Sequence, residues 1–202
     1  MDLLVATRNP GKLRELHQLL SGLPIRALSL ADAGITADVA ETGRTFEENA
    51  VLKAHSYAAL SGLTTLADDS GLEVDALGGA PGVQSARWAG PHASDADRIR
   101  LLLERLRGVP PEQRGAQFHC TVAIATPSGA VYTTEGIIRG QIIDEPRGSH
   151  GFGYDPVFFI PERGRTMAEL EPEEKNRISH RARALQAARP ILARLAAESE
   201  GG

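Results

Sequence analysis

A short apolar run followed at once by helix-starting residues is the feature that most limits the fold of this 202-residue chain. Leu3 to Thr7 is typical of a buried strand, and Asn9 and Pro10 suit the N-cap and first turn of a helix. Leucines at helical spacing continue that helix, namely Leu13, Leu16, Leu19 and Leu20. A strand joined directly to a helix favours an α/β protein.

The same alternation continues along the chain. Thr45 to Glu48 has the capping-box pattern that starts a second helix, and Gly62 is its expected end. Leu63 to Ala67 then predicts a strand, which we expect Asp68 to Gly71 to end. A third helix is predicted to start at Ser94.

A hairpin and a helical tail follow. Two β-rich stretches, Ala116 to Thr126 and Ala130 to Ile143, flank a Pro-Ser-Gly turn. A helical tail is expected from Pro172, with Pro190 kinking or ending it. Interleaved strands and helices plus a hairpin predict a mixed sheet in one α/β domain, at residues 1–198, with residues 199–202 frayed.

The charge balance limits the partners. The formal net charge is -4, from 22 basic and 26 acidic residues. Extended nucleic acid needs a basic face, because phosphate neutralisation supplies most of its affinity. We therefore expect no long nucleic acid as a partner. A small polyanion such as a nucleoside triphosphate remains compatible, since it needs only a few cations and a metal.

The compartment follows from what the sequence lacks. No apolar stretch approaches the length of a membrane span, and the segment after Met1 is too short and too uncharged for a signal peptide. The single cysteine, Cys120, lies in an apolar alternating run and is interpreted as a core residue. A cytoplasmic protein without membrane contact is expected.

The first candidate site is the strand-to-helix junction at Thr7 to Lys12. Backbone N–H groups at a helix start favour an anion, Gly11 allows close approach, and Lys12 adds a charge. The segment is not a Walker A loop, because Ala6 and Leu13 stand where that pattern requires Gly and Ser or Thr. The alternative for Lys12 is a solvated lysine on a first helical turn.

Carboxylates form the second candidate site. Asp68 and Asp69 follow an apolar strand, where adjacent side chains point to opposite sides, so at most one faces a given site. Carboxylates suit Mg²⁺, which takes one or two of them with waters and phosphate oxygens. Glu41 is a candidate second ligand, and Lys53 could extend toward the same ligand. The alternatives are a capped turn for the aspartates and a surface lysine for Lys53.

Two further segments could recognise a base. Phe152 to Asp155 combines aromatic rings with a carboxylate, which could stack on a purine and accept its ring N–H. Ser179, His180 and Arg181 bring three donors together at a helix start. The alternatives are an aromatic core plug and a solvated basic first turn.

Read together, these segments resemble the inosine triphosphate pyrophosphatase family, the Ham1-like dITP/XTP pyrophosphatases, over nearly the whole chain. The strings that carry the resemblance are Ala6–Lys12, Glu41–Gly43, Thr45–Ala50, Lys53–Ala54, Ala67–Leu72, Gly78–Gly82, Gly151–Pro156, Lys175 and Ser179–Arg181. The resemblance implies an α/β domain of two lobes around an elongated mixed sheet with flanking helices. It further implies a nucleotide cleft between the lobes, Mg²⁺ as cofactor and a homodimer. The implied activity is hydrolysis of ITP, dITP and XTP to the monophosphate and pyrophosphate.

The resemblance also implies residue roles. Asp69 would be the catalytic carboxylate and, with Glu41, the metal ligand. The triphosphate end would comprise Thr7, Arg8, Asn9, Pro10, Gly11, Lys12, Lys53 and Ser70. The base end would comprise Phe152, Gly153, Tyr154, Asp155, Lys175, His180 and Arg181. Arg8 stands where family members often carry a small residue, and it either adds a phosphate contact or points to solvent.

Two rival functions stay open at this point. A non-catalytic nucleotide-binding module would need the phosphate and base ends but no metal-bound carboxylate, and Glu41 and Asp69 disfavour it. A Maf-like pyrophosphatase acting on pyrimidine or modified nucleotides would share the phosphate end but lack the Ser179–Arg181 base end.

Overall fold

The structure is a computed structural model that describes residues 1–200. The frayed C-terminus predicted at residues 199–202 falls partly on Gly201 and Gly202, which lie outside the described residues, and it stays a prediction. Within residues 1–200, no helix combines the length and the apolar character needed to cross a membrane.

Strands and helices alternate in the first half of the chain, as the sequence pattern predicts. The strands are β1 (Asp2–Val5), β2 (Arg26–Ser29), β3 (Thr64–Val74), β4 (Gly115–Ala125), β5 (Val131–Ile142), β6 (Phe158–Ile160) and β7 (Arg165–Thr166). The α-helices are α1 (Pro10–Leu20), α2 (Phe46–Ser61), α3 (Asp95–Arg105), α4 (Pro172–Ile178) and α5 (His180–Glu200).

The strands form one mixed sheet. Its order is β2-β1-β3-β4-β5-β6-β7. Strand β1 runs parallel to both β2 and β3, with Leu3 opposite Ala27 and Thr64, whereas β6 runs antiparallel to β5 and β7. The predicted α/β fold with a mixed sheet and flanking helices is confirmed.

The chain divides into two compact units, and β3, β4 and β5 contribute residues to both. The first unit comprises residues 1–69, 120–136 and 181 onward, and the second comprises residues 70–119 and 137–180. The first unit has two apolar clusters, one around Leu3, Leu66 and Cys120 and one around the alanines of α2. The second has its own cluster around Leu72, Leu102 and Phe158.

The helix boundaries follow the predicted capping residues. The Asn9 side chain accepts hydrogen bonds from the first backbone N–H groups of α1, and Thr45 does the same for α2. Gly62 ends α2 in the left-handed region, at φ 69°. Ser94 and Asp97 form a reciprocal capping box at the start of α3.

The predicted end of β3 at Asp68 to Gly71 is wrong, because the strand continues to Val74. The prediction rested on the polar and small residues of that segment. The residues beyond it decide the outcome, since Leu72 and Val74 are fully buried in the core of the second unit. The aspartates therefore lie in the middle of a strand.

The predicted helical tail forms two helices, α4 and α5, and α5 continues past Pro190. Ser179 is extended, with φ -64° and ψ 159°, and separates α4 from α5. Pro190 lies inside α5 and does not end it. A proline removes one backbone hydrogen bond, but the buried side chains of Ala188 and Leu192 on either side pack into the first unit and hold the helix.

Candidate active site

The strand-to-helix junction at Thr7 to Lys12 is organised by Asn9. Its Oδ1 accepts hydrogen bonds from the backbone N–H groups of Gly11, at 2.9 Å, and Lys12, at 3.1 Å. The Thr7 hydroxyl in turn accepts the N–H of Asn9 at 3.2 Å. The segment therefore has a defined shape, and two of its amides are already engaged by the cap.

Arg8 is exposed and contacts the segment that precedes Glu41. Its guanidinium donates to the backbone oxygen of Ala37 at 2.7 Å and to Oδ1 of Asp38 at 3.2 Å. The Tyr57 hydroxyl donates to the same Ala37 oxygen at 3.2 Å. Arg8 thus fastens the segment that leads to Glu41 against the junction.

A buried network surrounds Asp68. Oδ2 of this carboxylate lies 3.0 Å from Nζ of Lys12 and accepts Nε of Arg181 at 3.2 Å. The same guanidinium donates to Oε2 of Glu15 through NH1. The side chain of Arg181 is 1% exposed, so the alternative of a solvated first-turn arginine is wrong. Lys12 is 15% exposed and is not a freely solvated lysine either.

The charges of this network determine its protonation. Burial raises the pKa of Asp68, but the positive charges of Lys12 and Arg181 outweigh burial and hold that pKa well below its ordinary value. Burial lowers the pKa of Arg181, but the Asp68 and Glu15 carboxylates raise it overall. At neutral pH, Asp68 is therefore an anion and Arg181 a cation.

Asp69 has a different environment on the other side of the strand. Its Oδ2 accepts Nδ2 of Asn49 at 3.0 Å, and its Oδ1 lies 4.0 Å from Nζ of Lys53. Lys53 pairs with Oε1 of Glu41 and donates to the backbone oxygen of Asp68 at 2.7 Å. The Lys53 side chain is 13% exposed, which excludes the surface-lysine alternative.

The pKa of Asp69 shifts in the opposite direction to that of Asp68. Burial raises it, the charges of Lys53 and Lys12 lower it, Glu41 raises it, and the net pKa lies above the ordinary value. Burial lowers the pKa of Lys53, but the negative charges of Asp68, Asp69 and Glu41 raise it overall. Two adjacent carboxylates in one unit therefore differ in proton affinity.

Asn49 fixes the Asp69 side of this charged cluster. Its buried amide donates to Asp69 and accepts the backbone N–H of Gly43 at 2.7 Å. A methyl group added to Gly43 would lie 2.7 Å from Asn49 Oδ1 and 2.7 Å from Glu48 Cβ, so this position has no room for a side chain. The Glu41–Gly43 segment is thereby held beside Asp69.

The carboxylates fit a magnesium ion. Glu41 and Asp69 approach the same ammonium group of Lys53, and Mg²⁺ needs only one or two carboxylates when waters and phosphate oxygens complete its shell. A further acceptor exists in Oδ1 of Asp68, a buried atom with no hydrogen-bond partner among residues 1–200. The described residues hold no ready-made cluster of three His, Cys, Asp or Glu ligands. The donor set suits a metal that arrives with phosphate.

A second cluster lies in the second unit, at the loop Gly151–Asp155, which we call the aromatic loop. Oδ2 of Asp155 accepts the Phe152 N–H at 3.1 Å and lies 2.6 Å from Nζ of Lys175. That ammonium sits 4.9 Å from the centre of the Phe152 ring. A methyl group on Gly151, at φ 75°, would lie 2.1 Å from the Asp155 carboxylate. Glycine is therefore required beside this ion pair.

Tyr154 and His180 belong to the packing of the second unit. The Tyr154 ring lies in the core and its hydroxyl donates to the backbone oxygen of Ser85 at 2.8 Å, so the core-plug alternative holds for this residue. Burial raises the pKa of that hydroxyl. His180 is buried and stacks on Phe118, with ring centres 4.8 Å apart.

The structure distributes the predicted site residues over both units. In the first unit, the predicted residues Lys12, Glu41, Lys53 and Asp69 join Asp68 and Glu15 in one charged cluster. Thr7, Asn9, Pro10 and Gly11 lie at the α1 start. In the second unit, the aromatic loop contains Phe152, Gly153, Tyr154 and Asp155, and Lys175 pairs with Asp155. In the same unit, His180 stacks on Phe118 and Ser70 lies in β3. Arg181 was grouped with the base end, yet its contacts are with the charged cluster.

The sequence interpretation missed two residues at the charged cluster, Glu15 and Asn49. Glu15 lies one helical turn after Lys12, and Asn49 lies one turn before Lys53, so helical spacing places each on the face of its lysine. That signal was available. The role of Asp68 was left open, and its buried ion pairs now define it.

A comparison with known families identifies the family of the chain. Residues 3–191 match the Ham1 family. The chain belongs to the Ham1 family. All of the strings that carried the resemblance, from Ala6 to Arg181, fall within this match.

Relatives in the Ham1 family are similar over most of their length. The dITP/XTP pyrophosphatase of Geobacter sulfurreducens is 56% identical over 91% of this chain and 92% of its own length. The Bacillus subtilis protein of the same name is 46% identical, over 95% of this chain and 96% of its own length.

Solved structures from the Ham1 family share the fold. A HAM1 protein from Coxiella burnetii has a TM-score of 0.87 and 44% identity, covering 96% of this chain and 99% of that one. The nucleoside-triphosphatase, or dITP/XTP pyrophosphatase, of Mycobacterium abscessus has a TM-score of 0.76 and 48% identity, covering 94% of this chain and 100% of that one.

Proposed function

We propose that this chain hydrolyses deaminated purine nucleoside triphosphates, such as ITP, dITP and XTP, to the monophosphate and pyrophosphate. The observation that carries the proposal is the charged cluster of the first unit, where Lys12 and Lys53 flank Asp68 and Asp69. The names of the relatives, dITP/XTP pyrophosphatases at up to 56% identity, support the same substrate class.

The charge of the cluster argues for a metal with the substrate. Among the described residues, three cations, Lys12, Lys53 and Arg181, face four carboxylates, Glu15, Glu41, Asp68 and Asp69. Such a site has no net positive charge with which to attract a triphosphate. We propose that Mg²⁺ is the cofactor and that Glu41 and Asp69 hold it. When bound, the ion would neutralise charge on the transferred and leaving phosphates.

The chain's own residues would do the rest. Lys12 and Lys53 would bind the phosphates, and Thr7, Asn9 and the α1 start would orient them. Asp69 would orient the attacking water and accept its proton, a role favoured by its raised pKa. Asn49 would keep the other oxygen of that carboxylate fixed.

The base would bind at the second unit. Phe152 would stack on the purine, and Asp155 with Lys175 would pair with its edge. A deaminated purine presents a keto acceptor where adenine presents an amino donor, and each unpaired buried polar group costs about 1–3 kcal/mol. Since the Arg181 donors are engaged with Asp68 and Glu15, we propose that Lys175, His180 and loop N–H groups provide this discrimination.

The setting of the enzyme is part of the proposal. We propose a cytoplasmic homodimer with no membrane partner and no long nucleic acid as ligand. Sedimentation equilibrium of the purified chain tests the dimer, and a monomer at micromolar concentration would contradict it.

A panel of nucleoside triphosphates with Mg²⁺, with pyrophosphate and orthophosphate measured separately, tests the function. We expect pyrophosphate release from ITP, dITP and XTP, little from ATP, and none with EDTA. Asp69→Asn should lower kcat by roughly 10²-fold or more while the fold survives. Release of orthophosphate in place of pyrophosphate would overturn the proposal. A preference for pyrimidine nucleotides would support the Maf-like alternative. Nucleotide binding without turnover would support a non-catalytic module.

A further inference from the structure

The aromatic loop is held by the first turn of α3. Oδ2 of Asp95 accepts the backbone N–H of Gly153 at 2.8 Å. Oδ1 of Asp95 accepts NH1 of Arg98 at 2.7 Å, and Nε of Arg98 donates to the backbone oxygen of Ala86 at 2.8 Å. One ion pair on α3 thus joins the aromatic loop to the segment that contains Ala86.

A second contact joins the same two segments at the neighbouring residues. The Tyr154 hydroxyl donates to the backbone oxygen of Ser85 at 2.8 Å. The Ser85 hydroxyl accepts the backbone N–H of Leu72 at 2.9 Å, which ties this segment to β3. Buried Tyr154 and exposed Asp95 therefore fix consecutive residues of the aromatic loop from two sides.

We propose that Asp95 and Arg98 are positioning residues that hold the aromatic loop in its base-binding conformation. The inference rests on the proposed function, in which Phe152 and Asp155 meet the base. Gly153 has φ 63°, and a glycine loses much conformational freedom when it is ordered. Fixing its N–H before the nucleotide arrives removes that cost from binding, so the contact lowers KM and leaves the chemical step unchanged.

A purely structural role for Asp95 must be separated from this one. Asp95 is the first residue of α3, where a carboxylate also stabilises the helix. Three variants make the separation. Asp95→Ala removes both the acceptor and the charge, and Asp95→Asn keeps an oxygen for Gly153. Arg98→Met leaves the Gly153 acceptor in place and removes its support, namely the ion pair with Asp95 and the contact with Ala86.

The same helix offers a matched control. Arg100 pairs with Asp97 at 2.7 Å, the same distance and i,i+3 spacing as the Arg98–Asp95 pair. The Arg100 side chain is 76% exposed, and Asp97, its partner among residues 1–200, lies on the same helix. Arg100→Met therefore removes an equivalent ion pair from α3 without touching a described contact of the aromatic loop.

Two measurements test the inference. Hydrogen exchange of peptides covering residues 149–157, without nucleotide, should be about 3- to 10-fold faster in Asp95→Ala, the range expected for one lost hydrogen bond. Steady-state kinetics on ITP should show KM raised by about the same factor, with kcat within about twofold of the parent. Arg98→Met should show smaller changes of both kinds, Asp95→Asn should recover part of the loss, and Arg100→Met should match the parent.

Each contrary result has a distinct meaning. Unchanged exchange in Asp95→Ala, or equal effects of Arg98→Met and Arg100→Met, overturns the inference. Faster exchange with unchanged KM shows that the contact does not serve base binding, and it overturns the positioning role as well. If the parent enzyme does not hydrolyse ITP, the proposed function fails, whereas the exchange comparison still decides whether Asp95 and Arg98 hold the loop.

Discussion

Arg181→Ala should be among the most destabilising single substitutions in the charged cluster. The arginine is 1% exposed, and its guanidinium binds Asp68, which is fully buried, and Glu15, which is 12% exposed. Removing it takes a buried positive charge away from both carboxylates. Residue 181 is also the second residue of α5, so the change is an alanine in a helix and brings no backbone penalty.

The magnitude follows from what remains around Asp68. Breaking a buried ion pair by removing one partner typically costs about 3–5 kcal/mol. Lys12 lies 3.0 Å from Asp68 and would remain as its counter-charge in the variant. We therefore expect a loss at the lower end of this range, about 3 kcal/mol. For a chain of this size, 3 kcal/mol corresponds to a fall in Tm of roughly 6–12 °C.

Urea unfolding followed by circular dichroism, together with thermal scans, measures this loss. Arg194 supplies the control, because it pairs with Glu198 at 3.8 Å on the same helix and is 53% exposed. Arg194→Ala should cost under about 1 kcal/mol. Combining Arg181→Met with Glu15→Gln should cost less than the sum of the two single changes, because the pair is removed together.

The activity of the Arg181 variant tests its place in the site. Since its donors face carboxylates of the charged cluster, the variant should lose kcat for ITP and ATP by similar factors. A stability change no larger than that of Arg194→Ala would refute the buried-network reasoning. A selective loss of ITP turnover would instead return Arg181 to base recognition.

Two further predictions concern Gly151 and Cys120. Gly151→Ala should raise KM for ITP and lower the free energy of unfolding by more than Gly153→Ala does. Both positions have positive φ, but only Gly151 lies against the Asp155–Lys175 ion pair. Equal effects of the two substitutions would contradict the crowding argument. Cys120 is buried, and burial raises the pKa of its thiol to about 12. Iodoacetamide should therefore label this thiol only after denaturation. Stoichiometric labelling of the native protein would show that the core opens at Cys120.

Local sequence signals predicted the helix starts and the sheet class well. Asn9, Thr45 and Ser94 cap helices because each side chain satisfies backbone N–H groups within the next three residues. Such contacts are complete within a short segment. The continuation of β3 past Asp69 was missed because it depends on the burial of Leu72 against distant residues.

The division of the base-end residues could not be derived from spacing. His180 and Arg181 are adjacent, yet one stacks on Phe118 in the second unit and the other pairs with Asp68 in the first, 113 positions earlier in the chain. A string of donors in the sequence indicates a polar site. Which carboxylate each donor meets depends on the tertiary fold.

The adjacent aspartates give the sharpest contrast, because their pKa values are displaced in opposite directions. A carboxyl group whose pKa is lowered by folding stabilises the folded state at any pH above its unfolded pKa, and this stabilisation is lost as the pH falls through the folded pKa. A carboxyl group whose pKa is raised by folding destabilises the folded state at neutral pH, because it must be ionised there. Asp68→Asn should therefore destabilise the protein at pH 7, by about 3 kcal/mol or more, since Arg181 and Lys12 lose their anion.

Asp69→Asn should be neutral or slightly stabilising at the same pH, while activity is lost, because it removes a carboxylate whose charge burial disfavours. Comparing the unfolding free energies of the two variants at pH 7 and pH 4 measures both effects. The destabilisation by Asp68→Asn should persist at pH 4, because the folded pKa of Asp68 lies well below that pH, whereas any stabilisation by Asp69→Asn should shrink as the raised pKa of Asp69 lets the parent carboxyl take up a proton. Equal destabilisation by the two substitutions would mean that the strand does not separate a structural anion from a reactive one. The opposite signs would assign Asp68 to holding the cations and Asp69 to the chemistry.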